Sequence, residues 1–402
     1  MKRTPVVLLA SVFAIVAMNS WFARGGADDK PGTLPGARPT VDAAQYPSLQ
    51  AAIDALPAEG GRILLPAGTF EISKPLVISQ DDVLFEGSGT ATHIKNVNTN
   101  GEPALIIRRE AGIKDKTKRQ WRVQLTNFRI TGNEKSGHGI LADYVNEIFL
   151  DGVTVSYHGG DGIRLDHCYE DPRVTSCLIT YNKATGLNLI GCHDIVVASS
   201  QFEENMDALH CFDGFNLCMT GNCVDDHLGH GVVIENTYGS VVSGNMIEEC
   251  NGTAIILDRD CYGITLSANI IAHDGGGIDL RDAHGCAVSA NTFTIIAADA
   301  LRIGPSSGRI TVTGNNFSNS YIGEGKVRRS TNDMKASGLT LVGTSNVAVS
   351  GNLFADVEPK ALAVDGKASR KVLFANNVLV GVKSDHEKLE DSKIENVLES
   401  DD

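Results

Sequence analysis

The 402-residue sequence is poor in aromatic residues, in proline and in positive charge. Only 6% of the residues are aromatic and 12 are proline, whereas 42 are glycine. A single closed core rarely reaches this length, so the chain forms either two domains or one elongated repeat domain. Lysine and arginine number 35 against 49 acidic residues, a net charge of −14. That charge argues against nucleic acid as a partner, because binding to phosphate requires a basic surface.

The N-terminus has the features of an export signal. Lys2 and Arg3 precede an apolar run over residues 6–18, which is too short for a comfortable membrane span. We therefore predict a signal peptide over residues 1–27 and a linker over 28–40, with an uncleaved anchor as the alternative. The mature protein is expected to be secreted or periplasmic, with no stable membrane span.

The nine cysteines are an odd number for an exported protein, so at least one must be free or paired with another chain. All of them fall between Cys168 and Cys286. Cys168 and Cys192 occupy equivalent places in adjacent repeats. A strand spacing of about 4.8 Å would allow a disulfide between them.

A short motif, a small residue followed by apolar–any–apolar, recurs ten times along the chain. Nine spacings separate its copies, eight of 22 to 24 residues and one of 38. The copies begin at Gly139, Gly162, Gly186, Ala208, Gly231, Ala254, Gly277, Ala300, Gly338 and Ala361. Such a period indicates a solenoid, and the two-residue alternation places Leu165 and Ile278 inward and Thr340 outward. The sequence predicts an all-β solenoid of about ten coils.

A second set of residues recurs once per coil and supports this prediction. Seven asparagines each lie two residues before an inward apolar residue, at Asn222, Asn245, Asn269, Asn291, Asn315, Asn352 and Asn377. Stacked amides at one place in each coil would hydrogen-bond along the axis and satisfy backbone groups of the turns. We therefore predict an asparagine ladder inside the solenoid.

The residue types at the two ends and in the two insertions predict what these segments form. Residues 47–56 have the apolar stripe of a helix and are predicted to plug the N-terminal end of a solenoid that covers 41–382. The charged tail, 383–402, is expected to be a weak cap or disordered. Basic insertions at 108–121 and 319–335 either grip an anionic substrate or are solvated excursions.

The chain resembles the pectin-lyase-like superfamily of right-handed parallel β-helices. Tyr46–Leu56 and Gly61–Ile72 are similar to that family's capping helix and first strand, and the asparagine ladder is similar to theirs. The resemblance covers about residues 41–382. It implies a single-stranded right-handed parallel β-helix with an N-terminal capping helix. The superfamily includes polysaccharide lyases, hydrolases and epimerases as well as non-enzymatic proteins, so the reaction does not follow from it.

In that superfamily the substrate groove runs along the sheet that here carries the repeated motif. Outward polar residues at the middle of the motif are Arg164, Asn188, His210, Asp279 and Arg302. Charged or titratable residues directly before the small residue include Asp161, Asp207 and His230. The apolar residues Val233 and Ile256 are expected to bound the polar stretch.

Two segments, Asn205–Asp207 and Gly229–Gly231, are similar to polygalacturonase motifs. That family's paired aspartates between the motifs are not at the matching place, since Asp225 and Asp226 fall in a predicted turn, and its Arg-Ile-Lys is missing. The resemblance therefore implies an acid at Asp207 with His230 as its neighbour, without the whole hydrolase mechanism.

Two catalytic chemistries remain open. Inverting hydrolysis needs an acid and a base, and Asp161 and Asp207 should be about 9.6 Å apart, two strand spacings. Elimination or epimerisation of a uronate needs a cation and a base, which Arg164 and His210 could supply, with Asn188 between them.

Two further hypotheses involve no catalysis on a glycan. His210, His230, Asp207 and Glu204 could be close enough to share a metal ion, as in a metal-handling periplasmic protein. The fold could also serve a non-catalytic protein that binds carbohydrate or is structural.

The sequence thus predicts an exported enzyme, a lyase or a glycoside hydrolase, that acts on an acidic polysaccharide. The expected catalytic residues are Asp207, His230, His210 and Asp161, and the expected substrate-binding residues are Arg164, Asn188, Asp279 and Arg302. No cofactor is required by this hypothesis, although calcium is left open. A monomer is expected.

Overall fold

The computed structural model describes residues 34–318 and 337–400. The predicted signal peptide and the insertion 319–335 lie outside the described residues. From Arg38 onward the chain winds through three parallel sheets, which we name A, B and C in the order in which each coil visits them. Every strand of a sheet pairs in parallel with the equivalent strand of the next coil, so the predicted all-β right-handed parallel β-helix is confirmed.

Sheet A has 17 strands. They are Thr40–Asp42, Gly61–Leu64, Val83–Glu86, Gln120–Thr126, Val145–Asp151, Arg173–Thr175, Val196–Ala198, Cys218–Thr220, Val241–Ser243, Cys261–Tyr262, Thr265–Ser267, Ala283–His284, Ala287–Ser289, Gly308–Thr313, Ser345–Ser350, Arg370–Ala375 and Lys393–Glu395.

Sheet B has 14 strands. They are Gly68–Ile72, Thr92–Asn96, Arg129–Thr131, Thr154–Ser156, Leu178–Thr180, Gln201–Glu203, Cys223–Asp225, Met246–Glu248, Ile270–Ala272, Thr292–Thr294, Asn316–Ser318, Leu353–Ala355, Val378–Val380 and Leu398–Ser400.

Sheet C, which carries the repeated motif, has 12 strands. They are Leu76–Ile78, Leu105–Arg108, Ile140–Asp143, Ile163–Asp166, Leu187–Ile190, Leu209–Phe212, Val232–Glu235, Thr253–Asp258, Gly276–Leu280, Asp299–Ile303, Ser337–Val342 and Leu362–Asp365. The solenoid therefore has more coils than the ten predicted, because its terminal coils lack the motif.

The core is the inside of the coils, where apolar side chains from all three sheets stack along the axis. Leu165 and Ile278 are buried, as the alternation predicts. Thr340 is in register with outward Arg302, so its outward direction agrees with the prediction. It is nevertheless only 1% exposed, and its hydroxyl donates to the Asp299 carboxylate (2.7 Å).

The asparagine ladder is confirmed and is called the asparagine stack below. From Asn222 to Asn377, each side-chain amide donates to the Oδ1 of the next asparagine at 2.9–3.0 Å. The same oxygen accepts the backbone N–H of the preceding asparagine at 2.9–3.1 Å. A primary amide both donates and accepts, so one residue type satisfies this turn in the successive coils from Asn222 to Asn377.

A second interior stack fills the turn between sheets B and C. Its members, which we call the mixed stack, are His158, Asn182, Asn205, His227, Cys250 and Asp274. All are almost completely buried. Asn182 donates to Asn205 Oδ1 (2.8 Å), and the Cys250 N–H donates to Asp274 Oδ1 (2.9 Å).

The helices are short and lie near the ends or in insertions. Helix α1, Leu49–Asp54, lies within the predicted helix 47–56, and Ala52 and Ile53 on it are fully buried; its role as a plug stays a prediction. Helix α2, Glu110–Lys114, forms part of the basic insertion. The 3-10 helices are Ala43–Gln45, Gly89–Ala91, Lys116–Lys118 and His386–Lys388.

The C-terminal tail differs from its prediction. Residues Lys393–Glu395 pair with Leu373–Ala375, and Leu398–Ser400 pairs with Val378–Val380. The solenoid thus continues past residue 382, because strand pairing needs only backbone groups and tolerates charged outward side chains. No helix within the described ranges is long and apolar enough to cross a membrane.

The disulfide that the strand spacing would allow between Cys168 and Cys192 is not formed, and all nine cysteines are free. The thiol of Cys168 lies 3.5 Å from the carbonyl oxygen of Ala142, and that of Cys192 lies 3.4 Å from that of Leu165. Each thiol thus contacts the backbone of the preceding coil, and stacking inside the core is the use that the structure shows for both.

Candidate functional site

The outward face of sheet C carries the predicted row of polar residues in register. Arg164 pairs with Asn188, and Asn188 with His210, on three consecutive coils. Farther along the axis Asp279 pairs with Arg302. Between these two parts, Val233 is partly exposed and Ile256 is buried. The predicted row is therefore confirmed as a set of neighbours, whereas the roles of its members stay predictions.

His210 is held by a residue that the sequence analysis did not single out. Its Nε2 lies 2.9 Å from a carboxylate oxygen of Glu235, on the next coil. Arg259, one coil further, contacts the other oxygen of Glu235 at 3.1 Å. Glu235 is 15% exposed and His210 30% exposed, so solvent reaches the imidazole while its carboxylate partner is mostly shielded.

Asp161 is the centre of a second cluster. Its carboxylate accepts hydrogen bonds from the Asn188 amide (3.0 Å) and from the backbone N–H of Thr185 (3.1 Å). His138 Nδ1 accepts the backbone N–H of Asp161 (3.0 Å). Burial lowers the pKa of His138, and the nearby Asp161 charge only partly opposes this effect. This cluster ties three consecutive coils together at the rim of sheet C.

Asp207 and His230 play the same part in the turn as Asp161. Asp207 Oδ1 accepts the backbone N–H of His230 (2.6 Å), and His230 Nδ1 accepts that of Thr253 (2.9 Å). The expectation that Asp207, His210 and His230 form one catalytic group is not supported by these contacts, since each bonds to a different partner. Asp207 and His230 are adjacent, but their bonds hold successive turns in place.

The arginines of the face are paired with carboxylates. Arg164 contacts Asp166 at 3.1 Å, and Arg302 contacts Asp299 at 3.0 Å. Asp279 binds Arg281 at 2.7 Å. The face is therefore a network of ion pairs, in which each guanidinium keeps further N–H donors for a ligand.

The basic insertion contributes to this side of the molecule. Arg108 binds Asp143, at the edge of sheet C, at 3.0 Å. Burial raises the pKa of Asp143, and the Arg108 hydrogen bond opposes this effect. The guanidinium of Arg119 lies 4.3 Å from the centre of the Tyr169 ring.

The metal hypothesis for His210, His230, Asp207 and Glu204 is wrong as a ligand set. Among the described residues, the groups whose ligand atoms all lie within 4.8 Å of one another are elsewhere, on sheet B. These groups are Glu248, Glu249 and His273, and Asp225, Asp226 and Glu249. Burial and then the neighbouring carboxylates raise the pKa of Asp226 to about 6.

A row of aromatic rings follows sheet C at the turn into sheet A, and two of them, Phe215 and Tyr262, are exposed. His193, Phe215, Tyr238 and Tyr262 pair in register on four consecutive coils. Tyr169 precedes them, with its ring centre 4.5 Å from that of His193. The sequence contains a signal for this row, the spacings 24, 22, 23 and 24, but the residue types differ and no single letter repeats.

A family model for the right-handed beta helix region matches residues 76–216, 138–261 and 253–400. The chain belongs to this family. The predicted resemblance to the pectin-lyase-like superfamily is thereby confirmed. No curated protein matches the chain significantly.

Solved structures with this fold include several proteins named for glycans. The A-module of a mannuronan C-5 epimerase from Azotobacter vinelandii is 11% identical, with a TM-score of 0.54 over 90% of this chain and 99% of its own. A periplasmic alginate epimerase is 11% identical, with a TM-score of 0.55 over 90% and 84%. Tailspike protein 3 of bacteriophage CBA120 is 12% identical, with a TM-score of 0.59. The match covers 87% of this chain but only 60% of the tailspike. At these identities the likeness establishes the fold.

Proposed function

We propose that the protein is an exported enzyme that binds an acidic glycan along the outward face of sheet C and removes a proton from it. The observation that carries this proposal is the contact of His210 Nε2 with Glu235 at 2.9 Å, in a row with Asn188 and Arg164. Adjacent coils repeat at about 4.8 Å, so successive sugars of an extended polymer meet equivalent strands.

His210 is suited to be the general base. When Nε2–H donates to Glu235, the neutral ring keeps Nδ1 as a proton acceptor, and the carboxylate stabilises the imidazolium that forms. Histidine is the side chain most often used for general acid–base catalysis. Glu235 acts through His210 and is therefore a positioning residue.

The substrate class follows from the strength of this base. A proton bound to the carbon beside a carboxylate is acidic enough for an imidazole when a cation neutralises the developing charge. Arg164, two coils from His210, offers a guanidinium whose fork fits a carboxylate. Its present partner, Asp166, uses only part of its five N–H donors. Elimination and epimerisation both begin with this step.

Hydrolysis by a pair of carboxylates is less well supported. Asp161 and Asp207 each accept a backbone N–H from the next coil, at 3.1 and 2.6 Å, and these bonds favour the role of fastening turns. The mannuronan and alginate epimerases with this fold are in keeping with a uronate substrate. Export, the monomeric state and the absence of a cofactor remain parts of the proposal.

A panel of acidic and neutral polysaccharides tests this function. Elimination yields an unsaturated sugar that absorbs in the ultraviolet, epimerisation changes the proton NMR spectrum of the polymer, and hydrolysis releases reducing ends without either signal. We expect His210→Ala to lose about 100-fold or more in rate, the usual contribution of a general base. His93→Gln, in a part-buried histidine of sheet B, is the matched control. Reducing ends alone would overturn the proposal.

Non-catalytic binding of a glycan is the second candidate, and it is favoured by the pairing of Arg164 and Arg302 with carboxylates. It predicts binding with no product on any polysaccharide. The same panel therefore separates the two candidates.

A further inference from the structure

We propose that the aromatic row is a second glycan-binding surface, which takes an uncharged sugar chain lengthwise and lies parallel to the sheet C face. We call it the aromatic stripe: Tyr169, His193, Phe215, Tyr238 and Tyr262. It is independent of the catalytic proposal, because it shares none of the residues assigned there.

The rings from Tyr169 to Tyr238 are in contact along the axis, and Tyr262 continues the row in the backbone register. Ring centres of successive members lie 4.5 Å (Tyr169 to His193), 4.6 Å (His193 to Phe215) and 5.5 Å (Phe215 to Tyr238) apart. Tyr262 pairs with Tyr238 in the backbone register. Five coils at about 4.8 Å make a platform of roughly 19 Å, long enough for several sugar units.

Two of the five rings are presented to solvent, and the other three are part-buried. Phe215 is 40% exposed and Tyr262 45% exposed, in a chain with few aromatic residues. Isolated exposed apolar residues are ordinary, but a contiguous row indicates a binding surface. Sugar rings have apolar faces of C–H groups that pack on aromatic rings, so a periodic row of rings suits a periodic chain of sugars.

Polar side chains that fit sugar hydroxyls lie on both sides of the stripe. Asp194 binds the Asn216 amide (2.7 Å), and Asp213 binds the Asn236 amide (2.5 Å). Asp260 accepts the Tyr238 hydroxyl (3.3 Å). Apolar platforms with a few placed polar groups are the usual composition of ligand sites.

The charges around the stripe select its occupant. Asp194, Asp213 and Asp260 flank it and would repel an anionic chain such as a nucleic acid or a polyuronate. Cationic side chains cover rings at the two ends, with Arg119 4.3 Å from the Tyr169 ring centre and Arg309 5.5 Å from that of Tyr262. A neutral glycan therefore fits the middle of the stripe.

The test is calorimetric titration of the full chain with long neutral oligosaccharides of the gluco, manno and galacto types. We expect Phe215→Ala and Tyr238→Ala, in the middle of the stripe, each to weaken binding about tenfold or more, whereas Phe215→Tyr, which keeps the ring, should bind normally. The matched control is Tyr157→Ala, because Tyr157 is 54% exposed and stacked on Tyr181 at 5.0 Å but lies outside the stripe.

Three results would overturn the proposal: no binding of any neutral glycan, unchanged binding by both alanine variants, or an equal loss in Tyr157→Ala. Melting curves identify a variant that fails to fold, and if that variant is Phe215→Ala, Tyr238→Ala decides, since its ring lies beside that of Phe215 in the middle of the stripe. Phe215→Ala should leave product formation from an acidic glycan unchanged, and His210→Ala should leave the affinity for neutral glycans unchanged. Failure of either proposal is thus seen separately.

Discussion

The two interior stacks lie in neighbouring turns of the same coils, but they satisfy their polar groups in different ways. In the asparagine stack every amide donates to the next and accepts from the preceding coil. The mixed stack contains imidazoles, a thiol and a carboxyl group, which cannot repeat that pattern. Among the described residues, Asp274 Oδ2 and His227 Nε2 make no regular hydrogen bond there.

The two stacks differ in position as well as in chemistry. The asparagine stack lies between sheets A and B, away from the candidate site. The mixed stack lies directly before the rim of sheet C, with Asn205 two residues from Asp207 and His158 three residues from Asp161. Buried groups without good partners call for an explanation in a native protein, and here they border the face where we place the function.

The largest expected effect on the free energy of unfolding comes from a substitution in the asparagine stack. In Asn269→Asp a carboxylate replaces an amide that donates to Val242 and Asn291, both at 3.0 Å. We expect a loss of roughly 3 kcal/mol or more in the free energy of unfolding, because one carboxylate oxygen keeps the Asn245 donors while the other faces the Val242 carbonyl and Asn291 Oδ1, two acceptors, in the buried turn. Urea denaturation at neutral pH measures it. Asn376→Asp, at an exposed residue beside Asn377, should be nearly silent, and an equal loss there would contradict the comparison.

The mixed stack should make the free energy of unfolding depend on pH and fall in acid. Burial lowers the pKa of His227 to about 4, whereas an unfolded histidine titrates near 6.5. The unfolded state therefore binds a proton first, and stability falls as pH decreases from about 6.5 towards 4. At pH 5.5 the loss should be about 1.4 kcal/mol for this residue, relative to pH 8.

The variant His227→Asn should remove that part of the pH dependence, because an amide does not titrate. Melting temperatures of the variant and the parent protein at the two pH values give the measurement. His386→Asn, in a residue outside both stacks, is the control. A parallel decline in parent and variant would show that other groups cause the acid sensitivity.

Asp274 should have a smaller effect on the free energy of unfolding, and its contribution should change with pH in the direction opposite to that of His227. Burial raises its pKa well above the usual range, so the folded state prefers the protonated form. This preference costs stability that grows as pH rises above about 4, where the unfolded carboxyl ionises. Asp274→Asn keeps an oxygen for the Cys250 N–H, now 2.9 Å away, and should stabilise the protein by about 1 kcal/mol at pH 8.

The gain at Asp274 should nearly vanish at pH 4, which chemical denaturation at the two pH values would reveal. A gain of the same size at both values would indicate better packing as its cause. If Asp274→Asn were destabilising at pH 8, the carboxyl group would have an ionised partner that the hydrogen bonds do not account for.

Prediction from the sequence succeeded where one residue type repeats at one place. The asparagine stack and the inward positions of Leu165 and Ile278 follow from the period alone. The mixed stack and the aromatic stripe have the same period, but neither was predicted as a stack, because the members share burial or ring shape and not one residue type. The terminal coils were missed for the same reason, since they lack the small residue of the motif.

The candidate site could likewise be predicted only in part from the sequence. Register follows from coil length, so the row of Arg164, Asn188 and His210 could be placed by counting. The partner of His210 could not be found by counting, because Glu235 is two residues further along the next strand and reaches back with a long side chain. Asp207 and His230 were neighbours as expected, but their bonding to turn backbone depends on turn shape.

The sequence by itself determined the length of each coil and which side chains point into or out of it. Side-chain direction in a strand alternates residue by residue, so it can be read from neighbouring residues alone. Only the tertiary structure decided which outward groups bond to one another. Adjacent coils bring residues more than twenty positions apart to within hydrogen-bond distance, and rotamers and turn conformations then select among several possible partners. For this protein, that selection separates carboxylates that fasten turns from the one that holds His210.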